Sequence, residues 1–297
     1  MQETVLITGG AGLVGSHLTN FLRSKNYAVR HISRSCTKEK SDCFVWDLNS
    51  GYWDKNAIAN VDFIIHLAGA NVAEGRWTAQ RKQQILESRI EGSKIVAEMV
   101  EASEGKIKGV VSASAVGYYG TIKSGTLALE TDKPGTDFLA KVCVQWENEI
   151  AKSKTTVAIL RTGVVLAKDG GAVPKMSMPI KLGLGSPLGS GTQPMPWIHI
   201  DDLCNMYLFA LENGLSGVYN AVATEIVSNQ ELTQELGKSV NKKIWMPNVP
   251  AFMLKLMLGE MSSMLLTGVN ASPKKIEGVG FEFNYSSLSK ALSQLLK

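Results

Sequence analysis

The sequence of 297 residues has no large excess of either charge, no membrane-length apolar run, and only four cysteines and four histidines. Each scarcity removes a class of function. Lys and Arg number 31 against 27 Asp and Glu, a net charge of +4, and the basic residues are scattered along the chain. A nucleic-acid surface gathers its cations into a patch or stripe, so no nucleic-acid partner is expected. Cys36, Cys43, Cys143 and Cys204 lack the spacing of a metal site, so no metal is expected. The chain enters a strand pattern at Glu3 without the apolar stretch of a secretion signal, and a reduced, cytoplasmic protein is expected.

The most apolar segment, AFMLKLMLGEMSSMLLTG at 251–268, is broken by Lys255 and Glu260. A spanning helix needs about 20 apolar residues in a row. The segment therefore predicts a buried helix or helix pair with methionines filling core gaps, and no membrane partner.

What is present begins at the N-terminus. The β-rich run ETVLIT (3–8) is followed by GGAGLVG (9–15), a stretch with helical spacing of Leu13, His17, Phe21 and Leu22, and the second strand pattern YAVRHIS (27–33). Glycines at 9, 12 and 15 allow a tight turn, let backbone N–H groups approach a diphosphate, and let the helix pack closely on the strand. The helix N-terminus meanwhile faces the negative charge, so Gly9, Gly12, Leu13, Val14 and Gly15 are candidate dinucleotide ligands.

The end of the second strand lacks an acid. A carboxylate about 20 residues beyond the glycines would hold the ribose 2′-hydroxyl of NAD, but the positions read Ser33-Arg34-Ser35. A hydroxyl and a guanidinium suit a 2′-phosphate, so NADP (NADPH) is expected over NAD, with Ser33 and Arg34 as its ligands and Arg30 a weaker candidate. Trp46-Asp47-Leu48 offers Asp47 and Leu48 to the adenine. VDFIIHL (61–67) is a buried-strand pattern ending in Ala68-Gly69-Ala70, where Leu67, Ala68 and Gly69 would face the nicotinamide ribose.

TGGAGLVG, HLAGA, SASAVGYYG (112–120), RTGVVLA (161–167) and PWIHIDDL (196–203) together resemble the extended short-chain dehydrogenase/reductases, the nucleotide-sugar epimerase/dehydratase group. The stretch from Pro250 through FEFNY to Leu296 resembles the small uncharacterised domain of one atypical branch. The resemblance implies an α/β fold: a Rossmann-like doubly wound parallel sheet with a smaller C-terminal region covering the substrate. Alternating β and α patterns to about residue 165 agree with it. Residues 1–168, with 197–227 returning, are expected to form the NADP-binding domain. Residues 169–196 and 228–297 are expected to form the substrate side, with the glycine- and proline-rich 170–196 as a loop or lid, and Asp201 or Asp202 is expected to cap a helix.

In such enzymes a Ser, a Tyr and a Lys work beside the nicotinamide, the Tyr and Lys four residues apart on one helix face. Ser114 matches the serine. Lys141 falls at the lysine position, and Asp137 stands where the tyrosine belongs. An unshifted aspartate, with a pKa of about 3.9, has no proton to give at neutral pH. Tyr118 and Tyr119 are the replacement candidates, or Asp137 and Lys141 form only an ion pair. Arg89 stands where relatives carry Asn and is a candidate for cofactor phosphate or for pairing with an acid. Arg76, Trp77, Arg161 and Trp197 are further pocket candidates, and His199 reads as a core histidine. The reading is hydride transfer on a small carbonyl, hydroxyl or nucleotide-sugar substrate, in a homodimer by family analogy. The alternative is a non-catalytic NADP-binding sensor or scaffold.

Overall fold

The computed structural model describes residues 2–36, 42–121 and 126–296. Its main sheet has eight strands in the order β11-β8-β6-β5-β1-β2-β3-β4. These are β1 (Thr4–Thr8), β2 (Ala28–Ser33), β3 (Cys43–Asp47), β4 (Tyr52–Trp53), β5 (Phe63–His66), β6 (Gly109–Ala115), β8 (Thr156–Thr162) and β11 (Gly217–Ala221). Every pairing is parallel except that of the edge strand β4 with β3. From β1 the chain winds outward through β2 and β3, then returns to β5 on the other side of β1. The β1/β5 boundary is therefore the topological switch point, where open α/β sheets leave a crevice beyond the carboxyl ends of their strands.

Alternation along the strands builds two cores. Val5 and Ile7 of β1 and Val111 of β6 join one cluster with Leu18 and Leu22 of α1 (Leu13–Ser24) and Leu203 and Met206 of α5 (Ile200–Glu212). Leu6 and Val110, one residue out of phase, face the opposite cluster with Ile95, Val96 and Met99 of α2 (Ala79–Ala102) and Ile150 of α3 (Phe138–Ile150). Runs such as FIIH are buried throughout because both faces are covered.

The remaining chain is attached to this sandwich. Leu232 and Leu236 of α6 (Asn229–Ser239), Ile276 of α9 (Lys274–Gly278) and Leu292 of α10 (Leu288–Leu295) belong to the same cluster as Val5 and Ile7. The C-terminal segment thus shares the main core. A short parallel pair, β7 (Leu127–Ala128) with β12 (Asn270–Ala271), ties it further, and a second, β9 (Val164–Leu166) with β10 (Trp197–His199), joins the chain on either side of the α4 stretch. Asp202 accepts from the backbone N–H groups of Asn284 and Tyr285, both at 2.9 Å.

Four expectations are corrected. The stretch 170–196 contains a helix, α4 (Ala172–Lys181): Pro174 falls in the first turn, where its missing N–H costs nothing, and Pro179 lies inside the helix only two residues before its end. His199, not an aspartate, caps α5: its ring accepts from Asp201 N. The apolar segment at 251–268 forms α7 (Ala251–Leu258), a 3-10 turn and α8 (Ser263–Leu266), but α7 buries only Leu254 and leaves Phe252, Leu256 and Met257 exposed. Cys36 and Cys43 are joined in a disulfide, Cα–Cα 5.7 Å, against the expectation of a reduced chain; Cys43 opens β3 and Cys36 lies just beyond the end of β2, a proximity that spacing alone does not disclose. Cys143 and Cys204 are free and buried. Among the described residues no helix is long and apolar enough to cross a membrane, and no cluster of His, Cys, Asp and Glu could hold a metal ion.

Candidate functional site

The glycine loop lies at the carboxyl end of β1 and has no room for side chains. A Cβ on Gly15 would lie 2.4 Å from the Gly9 carbonyl oxygen, and one on Gly9, at φ +73°, would lie 3.0 Å from Ala68 N. The second contact joins the loop to the carboxyl end of β5 across the switch point. Gly12 caps α1 without any side-chain hydrogen bond, and no acid stands in the first turn. Among the described residues no side chain caps that positive helix end, so the cradle fits a dinucleotide diphosphate.

The β5 rim is held by a buried relay. Thr8 and His66 are partners in the β1–β5 register. Thr8 Oγ1 accepts from Leu67 N and Ala68 N, both at 3.1 Å, so its own proton goes to His66 Nδ1 at 2.8 Å. His66 is then the Nε2–H tautomer, facing Ser93 Oγ at 3.3 Å. Burial, with a smaller push from the Arg89 charge, drives the His66 pKa down to about 3. The ring is a neutral brace for the Leu67–Ala70 turn, and Leu67, Ala68 and Ala70 are half-buried while Gly69 is exposed.

At the other cofactor end, Ser33 closes β2 half-buried and Arg34 follows exposed. Arg30 instead donates to the Asn56 and Ala59 carbonyls. Asp47 is occupied locally: it accepts from Asn49 N and from Ser50 Oγ, bonds that hold its carboxyl below the usual range. Leu48 beside it is half-buried.

The proton-handling end differs from the sequence expectation. Asp137 precedes α3 and caps it, accepting from Ala140 N at 2.9 Å. Lys141 lies on the exposed face of α3, and among the described residues no ion pair joins the two. The buried positions Ala140, Cys143, Glu147 and Ile150 show which face meets the sheet. Leu139 and Cys143, also four apart, are the side chains against the Gly117 turn that follows β6. The helix face that opposes the Ser114 strand end therefore presents Leu139 and Cys143, with neither a phenol nor an amine. Burial pushes the Cys143 thiol up to about 11.

Ser114 and Tyr119 are absorbed into a buried network. Ser114 Oγ donates to Glu147 Oε1 at 2.6 Å, and Arg161 grips both Glu147 oxygens, at 2.9 and 2.8 Å. Arg161 also donates to the Tyr119 hydroxyl at 3.0 Å, which donates in turn to Asn220 Oδ1 at 2.7 Å. Burial pushes the Tyr119 phenol up to about 12. Burial alone would lower the Arg161 guanidinium, but its bonds to Glu147 outweigh that and raise it. Tyr118 differs: it is half-buried, its ring lies 3.2 Å under the Arg161 guanidinium carbon, and its phenol has no hydrogen bond among the described residues.

The other pocket candidates have structural duties. Trp77 is buried, its indole N–H donating to Val72 O at 2.8 Å. Arg76 donates to the last carbonyls of α7, Leu256 O and Met257 O, and Lys82 pairs with Glu260, so this loop holds the C-terminal segment down. Trp197 is in the core with its N–H on Glu225 O. His199 is fully buried and stacked on Tyr285 at 3.8 Å. Arg89 lies inward from α2, its guanidinium 5.0 Å from the Trp146 ring.

The glycine cradle, its β5 wall and the switch-point position agree with what sequence comparison finds. Residues 5–221 match the model of the NAD dependent epimerase/dehydratase family. The chain belongs to that family. Residues 249–295 match a domain of unknown function, DUF1731. Curated relatives include an epimerase family protein, an SDR39U1 homolog described as chloroplastic, of Arabidopsis thaliana. It is 37% identical, with 100% of this chain and 87% of that protein covered. Another is the epimerase family protein YfhF of Bacillus subtilis, 36% identical over 98% of this chain and 97% of that protein. Among solved structures, human epimerase family protein SDR39U1 with NADPH superposes with a TM-score of 0.89 at 29% identity, covering 99% of each chain. A Thermus thermophilus UDP-glucose 4-epimerase in complex with NAD shares the fold, with a TM-score of 0.75 at 20% identity and 99% and 97% coverage. The chain is accordingly an NAD(P)-binding, epimerase-like member of the extended short-chain class.

Proposed function

We propose that the protein binds NADPH in preference to NADH and transfers hydride to or from a small carbonyl, hydroxyl or nucleotide-sugar substrate. The cofactor diphosphate would lie over Gly9–Gly15, the nicotinamide ribose against Leu67–Gly69, and the 2′-phosphate on Ser33 and Arg34. The human relative solved with NADPH supports the cofactor choice. The observation that carries the catalytic part is Tyr118, whose ring lies against the Arg161 guanidinium and whose phenol has no hydrogen bond among the described residues, where Ser114 and Tyr119 are engaged. Tyr118 is the assigned proton donor or acceptor. Lys141, on the exposed face of α3, takes no part.

A second reading, a non-catalytic NADP-binding sensor, draws support from Leu139 and Cys143 on the inward face of α3. Purified protein incubated with NADPH and a carbonyl panel that includes nucleotide-sugars separates the two. Tyr118→Phe should reduce turnover about 100-fold, the low end of a general acid's contribution. Turnover unaffected by that change removes Tyr118 from the chemistry; NADPH binding without turnover on any substrate favours the sensor.

A further inference from the structure

Arg81 and Arg89 stand about two turns apart on α2 and both reach back over the loop that follows β5. Arg81 Nη2 donates to Asn71 O at 2.6 Å. Arg89 Nη1 donates to Ala70 O at 3.2 Å and to Ile85 O at 2.8 Å. Two guanidinium groups thus converge on the carbonyl oxygens of successive residues.

Their charge is poorly balanced. Arg81 has Glu74 at 3.3 Å, a carboxylate that is 73% exposed. Arg89 has no acid in ion-pair range among the described residues, and Arg81 Nε is enclosed without a hydrogen-bond partner. Burial, helped by the Arg81 charge, pulls the Arg89 pKa down to about 10. A half-buried cation such as Arg89, held largely out of water without an anion, is costly, and the neighbouring Arg81, whose one acid is exposed, adds like charge beside it. The arginine fork matches the oxygens of a carboxylate or phosphate.

The position is that of a ligand. A Cβ on Gly69 would lie 3.0 Å from Arg89 Cζ, so the guanidinium lies against the turn that forms the β5 wall of the cofactor crevice. The adjoining surface is apolar, with Ala70, Val72, Phe138 and Leu139 packed with Met261 and Met264 of the C-terminal segment.

We infer that Arg81 and Arg89 form an oxyanion subsite on the β5 side of the crevice, taking a carboxylate or phosphate. The inference rests on the cofactor reading above only for where the crevice lies. The anion has two sources, a substrate with an acidic group on an apolar body or the cofactor's own diphosphate.

The test titrates the full chain with inorganic phosphate and with benzoate at constant ionic strength, reading the thermal midpoint with and without saturating NADPH. Either anion should raise the midpoint of the wild type. Arg89→Gln and Arg81→Gln should each weaken the apparent anion affinity about tenfold, with partial recovery in Arg89→Lys, which keeps the charge without the fork. Stabilisation that persists under saturating NADPH assigns the subsite to substrate; stabilisation abolished by NADPH assigns it to the diphosphate. No response in the wild type, or equal responses in wild type and Arg89→Gln, overturns the subsite. Anion binding by a protein that fails to bind NADPH overturns the cofactor reading alone.

Discussion

At the residue scale, the strongest dependence on the environment is that of His66. Its folded pKa, about 3, lies below the ordinary 6.5 because the ring is buried between Thr8 and Ser93. Above about pH 6.5 neither the native nor the unfolded chain holds a proton there. Between 6.5 and 3 the unfolded chain binds one that the native state excludes, so stability should fall with pH by about 1.4 kcal/mol per unit. Urea midpoints at pH 7, 6 and 5 measure the slope, and His66→Gln should be less stable at pH 7 but flatter below it. His199, lowered by burial as well, leaves a residual slope of the same sign. The sequence run FIIH identifies a buried strand and nothing more. The relay becomes visible only when the β1–β5 register sets Thr8 opposite His66.

At the element scale, the phase of one helix decides what the site can do. A pair spaced i,i+4 says that two side chains share a face but not which face it is. Asp137 and Lys141 satisfy the spacing, yet Asp137 lies outside the helix as its cap and the sheet-facing pair is Leu139 and Cys143. Shifting the pair by two residues turns it about 200° around the axis, from solvent to core. The buried run Ala140, Cys143, Glu147, Ile150 contains the correct phase, but Lys141 at a recognisable spacing outweighs it in a reading by motif. Glycine positions are less ambiguous, because close approach admits nothing else. Gly15→Ala would press a methyl against Gly9 O and should cost about 1–3 kcal/mol, the range for overpacking. NADPH affinity should fall with it. An alanine variant with unchanged stability and NADPH binding, by denaturation and fluorescence titration, would contradict the close approach of Gly15 to Gly9.

At the scale of the whole molecule, the winding order was legible because βαβ units announce themselves by strand, loop and helix period, and parallel topology follows. The contents of the reaction end were not. Ser114, Tyr119, Glu147, Arg161 and Asn220 come from β6, the turn after it, α3, β8 and β11, and no local pattern indicates that they satisfy one another. Arg76 and Lys82 were equally opaque, since their partners on the C-terminal segment lie about 180 residues away. What the whole fold does supply is a switch point between β1 and β5, with the glycine loop at the carboxyl end of β1 and an exposed arginine beyond β2. Calorimetric titration of NADPH and NADH into wild type and Arg34→Ala tests that arrangement most directly. The wild type should bind NADPH more tightly than NADH, and the variant should lose roughly tenfold or more in NADPH affinity, the weight of one charge-assisted phosphate contact, with NADH binding nearly unchanged. Equal losses for both cofactors, or no preference in the wild type, would contradict it.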